Sequence, residues 1–263
     1  MRIAKKSRIL GVTVHSKPFS AYLSMIESAI QTESRALIGY VNVHAINMAQ
    51  ADPRFMRFLN QEATSTFCDG IGVRVGARIC GIELPHRFTM PDEIDTLCAW
   101  AAREGKSLYL IGGREGITAR AATNLQARHA GLRIAGTHHG YFDQTPDSAE
   151  SRAVIEAINA AQPDILLVGF GMPRQEFWTA NHWDALDVPV ALMVGALFDY
   201  IVGDIYRAPR WVTDNGLEWL ARLVVEPRRL WKRYVIGNPL FIWRILTTPH
   251  HPMSVQPDSV TID

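Results

Sequence analysis

The 263-residue chain has no D-x-D carboxylate pair, no GxxxxGK[ST] phosphate loop and only three cysteines. Cys68, Cys80 and Cys98 show neither zinc-ligand spacing nor a CxxC pair, and an odd count without a framework fits a reducing cytoplasm. Long apolar runs are also scarce. Val188–Phe198 is free of charge but too short to cross a bilayer, and MRIAKKSRILGVTVHSKPF lacks a signal peptide's apolar core. Net charge is only +1, so the balance implies no acidic partner, and nucleic acid is not expected. The reading that follows is a cytoplasmic protein, 48% hydrophobic and 20% charged, large enough for one α/β domain with a small appendage.

What is present is a βα rhythm. Strands are predicted at Ile9–Val14, Ala36–Asn42, Thr64–Cys68, Ser107–Ile111, Leu132–Thr137, Asp164–Gly169 and Val188–Val194. Helices are predicted between them: Ala21–Gln31, Ala45–Asn60 with an interruption at Asp52-Pro53, Ile71–Cys80, Met90–Arg103, Gly116–Ala130, Glu150–Ala161 and Pro173–Asn181. Strands separated by helices imply a doubly wound, mostly parallel, Rossmann-like sheet with ligands at the carboxyl ends of its strands.

From Asp204 the character changes. Eight basic residues face four acidic ones between Asp204 and Thr247, a net +4, while the rest of the chain holds nineteen against twenty-two. Short helical pieces, broken at Pro227 and Pro239, mix arginines with Trp219, Trp231, Trp243, Tyr234 and Phe241. Such a segment suits an anionic membrane surface; a helical subdomain with solvated arginines is the plainer alternative. The division expected is 1–203 catalytic, 204–247 appendage and 248–263 a Pro/Ser/His/Asp tail expected to be disordered.

Four features carry chemistry. Gly169-Phe170-Gly171-Met172-Pro173 ends a strand and opens a helix, a geometry that presents backbone N–H groups to a phosphate. It resembles a dinucleotide turn, but Arg174 stands where the third glycine belongs and no acidic residue follows at the right distance, so no nicotinamide cofactor is expected. Asp69, between a strand and Gly70, can project a carboxylate into a cleft as a proton acceptor, or simply make an Asp-Gly turn. Gln175 and Glu176 in a first helical turn can bind sugar hydroxyls; the alternative is helix-dipole compensation by Glu176. His138-His139 lacks a third ligand at matching spacing, so no metal is expected. An enzyme of nucleotide sugars built this way would neutralise its leaving diphosphate with arginines and helix ends.

Several motifs in fixed order then carry a resemblance: Asn42-Val43-His44, Asp69-Gly70-Ile71-Gly72, Arg87 with Asp92, Gly112-Gly113, and Gly136–Phe142 (GTHHGYF). GFGMPRQE at Gly169–Glu176, Gly195–Asp199 with Gly203, Arg207-Ala208-Pro209, Gly216–Trp219 and Glu226–Arg229 complete it. From Val14 to Arg233 the chain resembles the WecG/TagA/CpsF glycosyltransferases. The resemblance implies inverting, metal-independent transfer from a UDP-sugar to a polyprenyl-diphosphate-linked sugar at the inner face of the membrane. It implies Asp69 as catalytic base, Gln175 at the sugar, Asp199 at the nucleoside, and Arg222, Arg228 and Arg229 at the diphosphate. Tyr40, Asn42, Arg87, Gly112, Gly113, His139, Tyr141, Gly169, Gly171, Glu176 and Arg207 join them as substrate-binding residues. Tyr40 replaces a threonine and Met90 a glycine found in many members. The general look is similar to the exopolysaccharide type, xanthan or acetan, which makes glucose the expected sugar; N-acetylmannosamine or its uronic acid, for wall or antigen polymers, is the alternative. A catalytically silent nucleotide-sugar scaffold is the alternative of another class. Oligomeric state is left open, a homo-oligomer included.

Overall fold

A computed structural model describes residues 2–3, 6–206, 209, 212 and 217–248. The chain begins not with one strand over Ile9–Val14 but with an antiparallel hairpin, β1 (Lys6–Ile9) and β2 (Val12–His15). Leu10 and Gly11 have φ of 48° and 78°, a two-residue turn whose left-handed backbone matches the twist of paired strands. Then follow α1 (Phe19–Gln31), β3 (Ala36–Val41), α2 (Val43–Ala49) and α3 (Pro53–Arg57), which widens into a π turn at Phe58–Glu62. Asp52 caps α3 by accepting the Arg54 amide at 2.9 Å, and this explains the break ahead of Pro53.

The order continues with β4 (Ser65–Cys68), α4 (Ile71–Ile79), α5 (Met90–Arg103), β5 (Ser107–Gly112), α6 (Ile117–Arg128) and β6 (Arg133–His138). It then runs through α7 (Ala149–Ala161), β7 (Ile165–Gly169), α8 (Arg174–Asn181), β8 (Val190–Met193) and α9 (Leu197–Ile201). Arg2–Ile3 pairs separately with Ile82–Glu83. The large sheet runs β1-β2-β4-β3-β8-β7-β5-β6, and every pairing except β1–β2 is parallel.

Both faces of this sheet are covered. Along β7, Leu166 and Val168 enter one core, with Phe55, Val73, Val154 and Trp178 from α3, α4, α7 and α8. Ile165 and Leu167 enter the other, with Tyr22, Leu97, Ala121 and Phe198 from α1, α5, α6 and α9. That is why β7 reads as an unbroken apolar run: neither face meets water. The doubly wound, Rossmann-like expectation holds.

Beyond Leu217 lie α10 (Glu218–Val225), α11 (Pro227–Trp231), a π turn at Lys232–Ile236 and α12 (Gly237–Thr247). Pro239 does not break this last helix. It sits in the first turn of α12, directly after the π turn at Lys232–Ile236, a locally widened stretch of the kind found where a helix accommodates proline. Helix α12 fastens the appendage to the core. Phe241 and Ile245 are fully buried against α2 and α4, each worth roughly 1.5–3 kcal/mol of apolar burial. Phe241 fits because residue 76 is glycine: a Cβ there would stand 2.4 Å from Phe241 Cζ. The Asn47 side chain adds polar fixings, donating to the Gly237 carbonyl at 2.7 Å and accepting from Arg244 at 2.8 Å.

Candidate active site

The carboxyl ends of β3, β4, β5, β7 and β8 and the appendage enclose one cleft of about 1080 Å³. The strand ends supply Tyr40, Asn42, Asp69, Gly113, Gly169, Gly171 and Gly195; the appendage supplies Arg222, Glu226, Arg229, Lys232 and Arg233.

The carboxylate at the end of β4 is oriented from α2. Asn42 is the N-cap of α2, its Oδ1 accepting the Ala45 amide at 3.0 Å. This fixes which end of the carboxamide turns outward, and Asn42 Nδ2 donates to Asp69 Oδ2 at 3.1 Å. The Asp69 amide donates to the Val41 carbonyl at 2.9 Å, extending the β3–β4 ladder by one residue. Asp69 is half-buried and lines the cleft, a carboxylate aimed by the backbone of two strands and a helix cap.

The opposite wall is cationic. Arg222, Glu226, Arg229 and Arg233 all face the strands, Arg222 from α10, Glu226 from the break between α10 and α11, Arg229 from α11 and Arg233 from the π turn. Glu226 lies between two of the arginines, 2.8 Å from Arg229 and 3.8 Å from Arg222, and sets their separation. The Arg222 guanidinium also rests over the Tyr200 ring, 5.6 Å from its centroid. The two walls feel each other's charge. Burial, assisted by Arg233, lowers the His44 imidazole to about 4, so His44 in the cleft is neutral at pH 7. Burial raises the Asp199 carboxyl, against the opposing pull of Arg114 and Arg229. Burial also holds the Tyr40 phenol above its ordinary value, helped by the charges of Glu176 and Asp69.

Of the residues singled out in the sequence, Tyr40, Asn42, Asp69, Gly113, Tyr141, Gly169, Gly171, Asp199, Arg222 and Arg229 all line this cleft. Met90, the second departure from the family pattern, lines it as well. Others are placed differently. Gln175 and Glu176 are fully buried and touch no open space, which corrects their assignment to sugar hydroxyls. Gln175 Oε1 accepts the Gly171 amide at 3.2 Å and the Gly195 amide at 3.1 Å, and its Nε2 donates to Glu176 Oε1 at 2.7 Å. The Gly171 N–H, which a strand–glycine–helix turn would otherwise offer to a phosphate, is therefore already engaged. Burial pushes the Glu176 carboxyl up to about 7.

Gly112 lies behind the cleft surface. With φ of +149° it packs on the neighbouring turn so closely that a Cβ would sit 2.4 Å from the Gly169 carbonyl oxygen. His139 is also set back; its Nδ1 accepts the Tyr141 amide at 3.2 Å and so shapes the loop that exposes Tyr141. Arg87 stands in the segment before α5 and does not line the cleft; burial raises the nearby Cys68 thiol, and the charge of Arg87 offsets a small part of that rise. Arg228 is exposed to solvent and does not line the cleft. Arg207 lies outside the described residues.

Lys232, Arg233, His44, Arg114 and Arg174 line the cleft without having been assigned a binding role, although His44 and Arg174 stand in motifs named above. Nothing local marks Arg114, whose position depends on an ion pair with Asp204 ninety residues away, at 3.4 Å.

Comparison with known proteins places the chain in a family. The model of the glycosyl transferase WecG/TagA/CpsF family matches residues 7–253. A Bacillus subtilis (strain 168) protein named N-acetylglucosaminyldiphosphoundecaprenol N-acetyl-beta-D-mannosaminyltransferase is 28% identical over 242 residues, 89% of this chain and 90% of that one. A Staphylococcus aureus (strain NCTC 8325 / PS 47) protein of the same name is 27% identical over 245 residues, 91% of this chain and 92% of its own length. The match of the family model over nearly the whole chain establishes membership: this protein belongs to the WecG/TagA/CpsF family of glycosyl transferases.

Proposed function

We propose that the protein transfers N-acetylmannosamine, or its uronic acid, from a UDP donor to a polyprenyl-diphosphate-linked amino sugar, with inversion and without a metal ion. The observation that carries this reading is one cleft holding both an oriented carboxylate, Asp69, and a facing row of guanidinium groups, Arg222 and Arg229. Asp69 accepts the proton of the acceptor hydroxyl as its oxygen bonds to the anomeric carbon. The bond from that carbon to the diphosphate breaks, and its electron pair leaves with UDP. Arg222 and Arg229 meet the growing negative charge, the electrostatic role that most lowers such a barrier. At about 1080 Å³ the cleft lies at the top of the ~300–1,000 Å³ range usual for one small molecule, which suits two substrates meeting.

Two donor expectations arose from the sequence, and the relatives' names favour the mannosamine one over glucose and an exopolysaccharide acceptor. Tyr40 and Met90 add bulk to the cleft wall and bear on that choice. Incubation with a panel of UDP-sugars and short polyprenyl-diphosphate acceptors, with EDTA present, followed by mass spectrometry, tests it. The expected product adds one N-acetylhexosamine, or its uronic acid, to an N-acetylglucosamine-terminated acceptor. A hexose adduct restores the glucose reading, and activity lost in EDTA but restored by manganese removes metal independence. Product from no pair returns the reading to a silent scaffold.

The acceptor's lipid brings the protein to a membrane. Among the described residues no helix is long and apolar enough to cross one. The appendage instead exposes Trp219, Leu220, Val224, Trp231, Val235, Trp243 and Leu246 beside its arginines, the composition of a segment that lies on an anionic surface. The intact protein is expected to float with vesicles containing anionic lipid and to lose that behaviour when Trp231 and Trp243 become serine. Equal flotation would place the contact elsewhere.

A further inference from the structure

We propose that Glu176 is a positioning residue that, through Gln175, sets the spacing of the two glycine turns flooring the cleft. Its consequence for donor binding rests on the transferase reading; the geometry does not.

Strands β7 and β8 are neighbours in register, Val168 opposite Met193. Just past their ends, Gly171 and Gly195 turn into left-handed backbone at φ of +80° and +58°, and their amides leave the sheet ladder. Gln175 Oε1 receives both amides, so one carboxamide oxygen joins the two turns. A carboxamide is nearly symmetric in shape but not in chemistry. Turned over, it would aim its NH₂ at two N–H donors. The acceptor at its other end decides the orientation, and that acceptor is Glu176 Oε1 at 2.7 Å.

Glu176 itself is 1% exposed and does not line the cleft, so it has no direct access to substrate. Among the described residues its second oxygen has no hydrogen-bond partner, and it is buried. A buried polar atom left unpaired destabilises a fold, while the other oxygen of the same carboxylate supplies the acceptor that the buried Gln175 Nε2 needs. A buried oxygen left unpaired on a residue that fixes the walls of a site is the mark of a functional constraint.

Exchange of the Gly171 and Gly195 amides, read by NMR on the full-length protein, tests this without any substrate. In Glu176→Leu both amides are expected to exchange roughly tenfold or more faster, beyond what any change in Tm accounts for. Calorimetric titration with UDP is expected to show roughly tenfold weaker binding, the equivalent of about one such hydrogen-bond arrangement. Glu176→Gln keeps an oxygen for Gln175 and is expected to restore both exchange and affinity. Unchanged exchange in Glu176→Leu would overturn the proposal. So would faster exchange accompanied by a fall in Tm that Glu176→Gln shares, since burial alone would then explain it. Should Glu176→Leu fail to fold, Gln175→Met supplies the same exchange test, and slow exchange at both glycines there would overturn the proposal equally. Faster exchange with no UDP bound by any form, wild type included, leaves the clip standing and overturns the donor reading instead.

Discussion

Asp69→Asn is expected to lower kcat by ~100- to 10,000-fold, the loss typical of removing a general base, while the Kd for UDP stays within about threefold of wild type. The reason lies in how the carboxylate is held. Asn42 donates to one oxygen of Asp69, and its own orientation is fixed by capping α2. Asparagine at position 69 is nearly isosteric and keeps the Asn42 contact through its carbonyl oxygen, so the strand end and cleft shape remain. What disappears is an oxygen able to take the acceptor's proton. Steady-state kinetics with calorimetry separates the two effects; undiminished turnover would remove Asp69 from the role of base. Asn42→Ala provides a graded companion, because it leaves the carboxylate but removes both its donor and the helix cap.

The second large effect is expected on the opposite wall. Replacing Arg222 and Arg229 together by alanine should cost at least ~100-fold in kcat, since removal of a single group that stabilises developing negative charge typically costs 10²–10³. Here UDP affinity should fall too, because on the proposed reading these guanidiniums meet the diphosphate in ground state and transition state alike. Arg228→Ala is the internal control. It removes the same charge from the same helix but from its solvent side, and its kcat should stay within about twofold of wild type. Equal losses from Arg228→Ala and Arg229→Ala would mean that general basicity of the appendage, rather than the arginines facing the cleft, is what matters.

That distinction also shows where the sequence could be read and where it could not. The βα rhythm was legible because parallel strands buried on both faces, such as ILLVG at Ile165–Gly169, are continuous apolar runs closed by glycine. Asp69 was legible as a cleft residue from its place at a strand end, although Asp-Gly is also an ordinary turn signal and only the motif order set it apart. Gln175 and Glu176 were misread because first-turn polar residues usually face solvent. Only the packing of α8 against β7 and β8 reveals that they turn inward toward two loops twenty-four residues apart. Arg87, Gly112 and His139 belong to the right motifs but support the cleft from behind, and a motif records proximity without saying which atoms are exposed. Arg228 and Arg229 are adjacent in sequence and look equivalent; only the fold shows that Arg229 lines the cleft and Arg228 does not. Arg233 lies beyond the break that the structure does have at Glu226–Pro227, so no helical phase from Arg222 points to it. The hairpin at Leu10-Gly11 was lost because leucine with left-handed backbone is not a turn signal.

The account stands on a carboxylate from the core and guanidiniums from the appendage acting on one ligand. A crystal structure of the protein with UDP, grown in EDTA, tests that most directly. The expected result is the diphosphate in contact with Arg222 and Arg229, the nucleoside toward Asp199, and Asp69 facing the open side of the β-phosphate where a sugar would continue. UDP bound elsewhere, such as the second cavity of about 440 Å³ beside Arg54 and Phe177, or with its diphosphate turned away from Asp69, would contradict it.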